Sequence, residues 1–131
     1  MKYALVAIAM MLTAPALAVD LSIDQDQQIL MPNKAPKMVC DTQDDAGKCT
    51  HTIPVTVGIV TQSVLIAALA DPSGRQPDPA SAKAGALAIR IYGQQHPTLS
   101  HEEYELILSR VDRTQDPITI ARMHELLEPK P

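Results

Sequence analysis

The first eighteen residues set how much chain is left to fold and the chemistry of the space it folds in. Met1-Lys2 leads into an apolar run from Tyr3 to Leu12, followed by Thr13, Ala14, Pro15, Ala16, Leu17 and Ala18. One positive charge, an apolar centre of about 7–15 residues and a small-x-small end make up a secretory signal peptide. Ala16-Leu17-Ala18 supplies the small-x-small site, so cleavage is expected between Ala18 and Val19, with Pro15 ending the signal helix just upstream. Read instead as a retained anchor, the run is shorter than the roughly 20 apolar residues of a spanning helix. The mature chain is therefore expected to be periplasmic or secreted, with no membrane span after cleavage.

Removing eighteen of the 131 residues leaves 113, enough for one ordinary domain with a modest core. Eleven basic residues stand against 15 acidic ones, a net charge of −4 that falls to −5 without Lys2. The remaining Lys and Arg are scattered among acids, whereas phosphate backbones and anionic membranes require a clustered basic face. Nucleic acid is thus excluded as an expected partner. With no Phe, no Trp and only three tyrosines, one of them in the signal, stacking platforms for bases or sugars are nearly impossible and the core must be aliphatic.

Along the mature chain, residues 19–36 read as a flexible leader, polar from Asp24 to Gln28 and broken by Pro32, Asn33 and Pro36. Leu21, Ile23, Ile29 and Leu30 are enough apolar side chains for a short piece to dock on the domain or on a partner. A single small domain is expected over 37–128. It opens with a β-hairpin over 37–57, in which strand formers around Val39 and Ile53 flank the turn Asp44-Asp45-Ala46-Gly47. Pro54 lacks an amide hydrogen, which places its strand at an edge or leaving the sheet.

Four helices are expected to follow. The first, over about 57–70, has Thr56 as N-cap and Asp71-Pro72 as its stop. Val57, Val60 and Val64 form one apolar stripe and Ile59 and Ile66 lie on another side, so this helix should be central. The second, over 79–92, has Asp78 as N-cap, Pro79 at its first position and Gly93 beyond its end. The third, over 100–113, carries the clearest start signal in the chain: Ser100 and Glu103 form a capping box, and Leu99 with Tyr104 a hydrophobic staple. The last, over 117–128, begins at Asp116-Pro117 and turns Ile120, Met123 and Leu127 to one side before a tail of 129–131. The expected fold is mainly α, of the α+β class.

Cys40 and Cys49 are the only cysteines and flank the turn. In an oxidising compartment the simplest reading is a disulfide that staples the hairpin, worth about 2–3 kcal/mol for so short a loop. The alternative is a metal site from Cys40, Cys49, His51 and Asp45, but Cys49-x-His51 is tight for a zinc pair and no second pair exists. Asp41, Gln43, Asp44 and Asp45 suggest calcium ligands, yet Gly47 is out of register and Thr52 stands where a closing Glu belongs, so a solvated acidic turn is expected.

His124, beside Ile120 and Leu127, reads as a core or boundary histidine. Arg75, Arg90, Arg110, Arg113 and Arg122, interspersed with carboxylates, read as a solvated, salt-bridged face. No serine lies in a Gly-x-Ser-x-Gly turn. No catalytic residue, cofactor or metal is therefore expected.

A further pattern runs through the chain: Asp45 with Gly47, Thr56 with Gly58, Ala68-Leu69, Lys83 with Leu87 and Ile89, Leu99 with Glu102, Arg110-Val111 and Glu125-Leu126-Leu127. In this order it resembles small tailed-phage and prophage proteins over residues 37–128. The signal peptide and the cysteine pair depart from those proteins, which are cytoplasmic. The resemblance implies no activity and no site, only a non-enzymatic accessory role.

The function that these observations support is an exported binding or accessory protein acting on a protein partner through a helical surface, with the hairpin as a rigid support. A phage-derived structural component and a periplasmic metal-handling protein are the alternatives.

Overall fold

A computed structural model of the chain describes residues 21–128. The expected signal segment, with its expected Ala18–Val19 cleavage site, and the tail 129–131 lie outside the described residues. The elements are β1 (Leu21–Ser22), β2 (Met38–Gln43), β3 (Cys49–Pro54), α1 (Val57–Ile66), α2 (Ser81–Ile91), β4 (Thr98–Leu99), α3 (His101–Thr114) and α4 (Pro117–Leu127). This is the expected mainly helical α+β architecture, with an N-terminal hairpin and four short helices.

Side-chain caps determine where three of the helices begin. The Thr56 hydroxyl accepts from the Ile59 amide at the start of α1. At α3 both halves of the capping box are present: the Glu103 amide donates to Ser100 Oγ and the Ser100 amide donates to the Glu103 carboxylate. Asp116 accepts from the Thr119 amide, with Pro117 in the first turn of α4.

The start of α2 corrects the expectation for Asp78-Pro79. The helix begins at Ser81, and its N-cap, Ala80, is helical in backbone and has no side-chain cap. Asp78 instead organises the preceding turn by accepting from the Ala80 amide, while its other oxygen faces Arg110 and Arg113. The turn and the arginines compete successfully for the carboxylate that was expected to cap the helix.

The core is aliphatic, with Tyr104 its one aromatic member. Ala84, Leu87, Ala88 and Ile91 of α2, and Tyr104, Ile107, Leu108 and Val111 of α3, are all buried, as their helical spacing requires. From α4, Met123 and Leu127 are buried, and Ile120 packs against the cluster partly covered.

Residues 21–36 correct the expectation of a flexible leader. Leu21 pairs with Leu99 in the β1–β4 ribbon, the Ile23 amide donates to Pro97 O at 3.2 Å, and the Ile29 amide donates to Val55 O at 2.8 Å. Ile23 and Ile29 are buried in the core. Gln25, also buried, donates through Nε2 to Ile91 O at 3.0 Å and Gln94 O at 2.5 Å, in the turn that follows α2. The polar composition of the segment thus serves fixed partners. The side-chain partners of Gln25 lie 66 and 69 residues away in sequence, beyond any local reading.

Gly58 permits this docking. Its amide donates to Gln25 O at 2.9 Å, and a Cβ at this position would meet that same oxygen at 2.9 Å and Gln25 Cβ at 3.0 Å. Both are closer than side-chain contacts normally come. Gly58→Ala is therefore expected to destabilise the fold by about 1–3 kcal/mol despite alanine's better helix propensity. Urea unfolding of the variant against the parent chain checks this, and an unchanged or raised midpoint would contradict the close approach.

The hairpin stands off this body. β2 and β3 are antiparallel, and five of the six residues of β2 are exposed. The Asp44–Gly47 turn is built as its composition suggests: Asp44 Oδ1 accepts from the amides of Ala46 and Lys48, and Gly47 takes φ +81°, a conformation costly for residues with a Cβ. Lys37, at the hairpin base, ties it to α4 by pairing with Asp116 and donating to Thr119 Oγ1 at 2.6 Å.

Candidate functional site

The feature with the most capacity for recognition is an open apolar groove between α1 and α2. In α1, Val57, Val60, Val64 and Leu65 face the core, which leaves Ile59, Gln62, Ser63 and Ile66 on the outer side. α1 is central as expected, packing against both α2 and α3, but only one of its two apolar sides is covered. Ile66 is 70% exposed and Ile59 37%, because no element packs over that side. In α2 the buried Ala84, Leu87, Ala88 and Ile91 leave Gly85, Ile89 and, just past the helix, Tyr92 outside. Ile89 is 81% and Tyr92 78% exposed.

The two helices run antiparallel, tied by Gln62 Nε2 donating to Ala88 O at 3.1 Å. Between them lies a hollow of about 630 Å³, lined by Leu65, Ile66, Ala67, Ala68, Gly85 and Ala88 among others. Gly85 and Ala88 leave its α2 wall low between the larger Ile89 and Tyr92, and a Cβ at Gly85 would meet nothing within 4 Å. A second hollow shares Gln62, Ile66 and Tyr92 with the first and extends the groove towards Asp26, Gln94 and Gln95. At the opposite end the surface continues over Ala68, Leu69 and Pro77 to Gly74 and Arg75. Large contiguous apolar exposure of this kind marks docking surfaces in soluble proteins.

The groove is held by a buried arginine. α1 stops at Ile66, short of the expected residue 70, and Ala67 turns to extended backbone. The guanidinium of Arg110 satisfies the carbonyls released there, donating from Nε to Val64 O at 2.6 Å and from Nη2 to Ala67 O at 2.5 Å. Arg113 donates to Ala70 O at 2.6 Å and to Asp78 Oδ2 at 2.7 Å. A cation at a helix C-terminus also complements the helix dipole. The Ala80 amide first, then Arg113 and Arg110, hold the Asp78 carboxyl below the usual carboxylate range. For Arg110, only 1% exposed, the expectation of a solvated face is corrected: it is an internal clamp. Arg90 and Arg122 do form surface pairs, with Glu103 and Glu125.

The residues singled out by chemistry lie elsewhere. Cys40 and Cys49 are joined in a disulfide with Cα atoms 5.8 Å apart. They are not directly opposite, since Cys40 faces Thr52 and Cys49 faces Gln43, and the ladder between them is irregular, with register shifts between Cys40 and Thr42 and between Thr42 and Gln43. A bonded pair has no thiolate to offer a metal. His51 pairs with Asp41 at 3.2 Å, and no group of three or more His, Cys, Asp or Glu gathers at metal-binding distance among the described residues. Ser63, Ser73, Ser100 and Ser109 all bond within their own stretch of chain. No helix among the described residues is long and apolar enough to cross a membrane.

His124 lies at the boundary of the core and clasps α3 to the end of α4. Its Nε2 meets Asp112 at 2.6 Å and its Nδ1 meets Glu128 at 2.9 Å. Asp112 first, then Glu128, raise its pKa above the ordinary 6.5. A raised pKa means that the protonated clasp contributes fully below pH 6.5 and is lost as pH climbs through the folded-state value. The melting temperature is therefore expected to fall as pH rises above about 6.5, and His124→Gln to flatten that slope. A slope unchanged in the variant would remove His124 as its source.

The groove has no polar motif to mark it in the sequence. Its signal was present: Ile59 and Ile66 lie off the valine stripe, and Ile89 and Tyr92 lie off the stripe of α2. No family model, curated protein or solved structure matches this chain.

Proposed function

We propose that this chain is an exported, non-enzymatic binding or accessory protein that docks an apolar protein surface in the α1–α2 groove. The observation that carries this reading is the exposure of Ile66, Ile89 and Tyr92 around one hollow on a single face. An isolated exposed isoleucine needs no explanation, whereas a cluster around a cavity does. The Cys40–Cys49 disulfide fits an oxidising compartment, and the N-terminal signal pattern accounts for how the chain would reach the periplasm or the exterior. The hairpin then serves as a stapled projection beside the docking face.

Site-specific photo-crosslinking in the native compartment tests this. A photoreactive residue at Ile89 is expected to give discrete adducts, while one at Glu125, exposed on α4, is expected to give none. Equal yields from both positions, or none from Ile89, would remove the groove from the function.

A further inference from the structure

Taking the groove to be a docking site, we infer that its occupant is a second copy of this chain, laid antiparallel across a two-fold axis near Ile66 and Tyr92. The charges at its ends are the first argument. Arg75 stands at one end and Asp26 at the other, both exposed, and neither makes an ion pair among the described residues. The groove follows α1, with Asp26 beside the helix N-terminal half and Arg75 beyond its C-terminus. Turning a second copy by 180° about the middle sets each Arg75 against the other copy's Asp26, forming two opposite-charge pairs at once. A parallel arrangement would set like against like, which two acidic chains tolerate poorly.

Shape is the second argument. Ile66, Ile89 and Tyr92 project beside a hollow with Gly85 and alanines on its walls, so one face holds both protrusions and the space to receive them. An interface in which the same patch serves both partners closes at two copies and leaves no sticky end. The apolar residues supply the attraction, and the end charges select the antiparallel orientation.

Sedimentation of the purified chain over a wide concentration range is expected to show a reversible monomer–dimer equilibrium. Ile89→Glu should abolish the dimer, and so should Gly85→Met, which fills the hollow; circular dichroism should show both variants folded, since both positions face open space. Arg75→Glu and Asp26→Arg should each weaken the dimer by roughly tenfold at low salt, and the double variant should restore it, because every pair is then re-formed with reversed sign. A monomer at all concentrations, a dimer indifferent to Ile89→Glu, or a double variant no better than the singles would each overturn the inference. Adduct mass separates its failure from that of the docking reading. Crosslinks from Ile89 at twice the chain mass support the second copy. Adducts of any other mass overturn it while leaving the groove a docking site, and a lack of adducts removes both.

Discussion

Arg110→Ala is expected to destabilise the fold by about 3–5 kcal/mol, the cost of removing one partner from a buried charged network. The side chain is almost wholly buried, and its three polar contacts each lose something different. Val64 O and Ala67 O, carbonyls at the end of α1, lose their donors, the first in a fully buried place and the second in a partly buried one. Asp78 keeps Arg113 and the Ala80 amide, so its charge is not stranded. The vacated volume lies under the groove floor, and its collapse should let the Ala67–Ala70 segment shift. Arg110→Met separates the contributions. It keeps most of the volume while removing the donors, and should recover about 1–2 kcal/mol of the loss through packing alone. For a domain of this size the alanine variant should melt more than about 10 °C lower. A drop within about 2 °C would mean that the guanidinium is not the clamp described here.

Ile29→Ala is the second large effect, expected at about 2–5 kcal/mol as for other fully buried isoleucines. The segment around Ile29 has the composition of a solvated leader, and were it mobile the substitution would cost almost nothing. In the structure Ile29 has no exposed surface, and its amide and carbonyl both join the ladder that holds Lys37 and Val55. Chemical unfolding distinguishes the two cases directly: a loss below about 0.5 kcal/mol would return residues 21–36 to the status of a tether. Leu30→Ala is a useful companion. Its side chain is 37% exposed, so it should cost far less than its neighbour.

Much of the fold was legible because it is locally encoded. The capping box at Ser100 and Glu103, the Asp116-Pro117 start and the four-residue apolar stripes of α2 and α3 each involve side chains within a turn or two of one another. The places where the reading failed share a different character. Asp78 looks like a helix cap until Arg110 and Arg113, over thirty residues later, compete for it. Arg110 looks like one more surface arginine until α1 ends beside it. Gln25 looks like solvated leader until the turn that follows α2 is placed next to it. In each case a polar side chain has two possible partners, one near in sequence and one distant, and packing decides between them.

The groove belongs to the same class. Periodicity shows that Ile59, Ile66, Ile89 and Tyr92 are apolar and lie off the main stripes, but not whether another element covers them. The sequence by itself determined the class of fold, the starts of α1, α3 and α4, the aliphatic character of the core and the pairing of two cysteines around a turn. These follow from contacts between near neighbours or from what the chain lacks. Only the tertiary structure decided that the leader is part of the core, that one arginine is a buried clamp, and that the outer face of α1 and α2 stays open. Each of those outcomes depends on which distant segment packs best on a shared surface, and the free energy that selects it is summed over the whole chain.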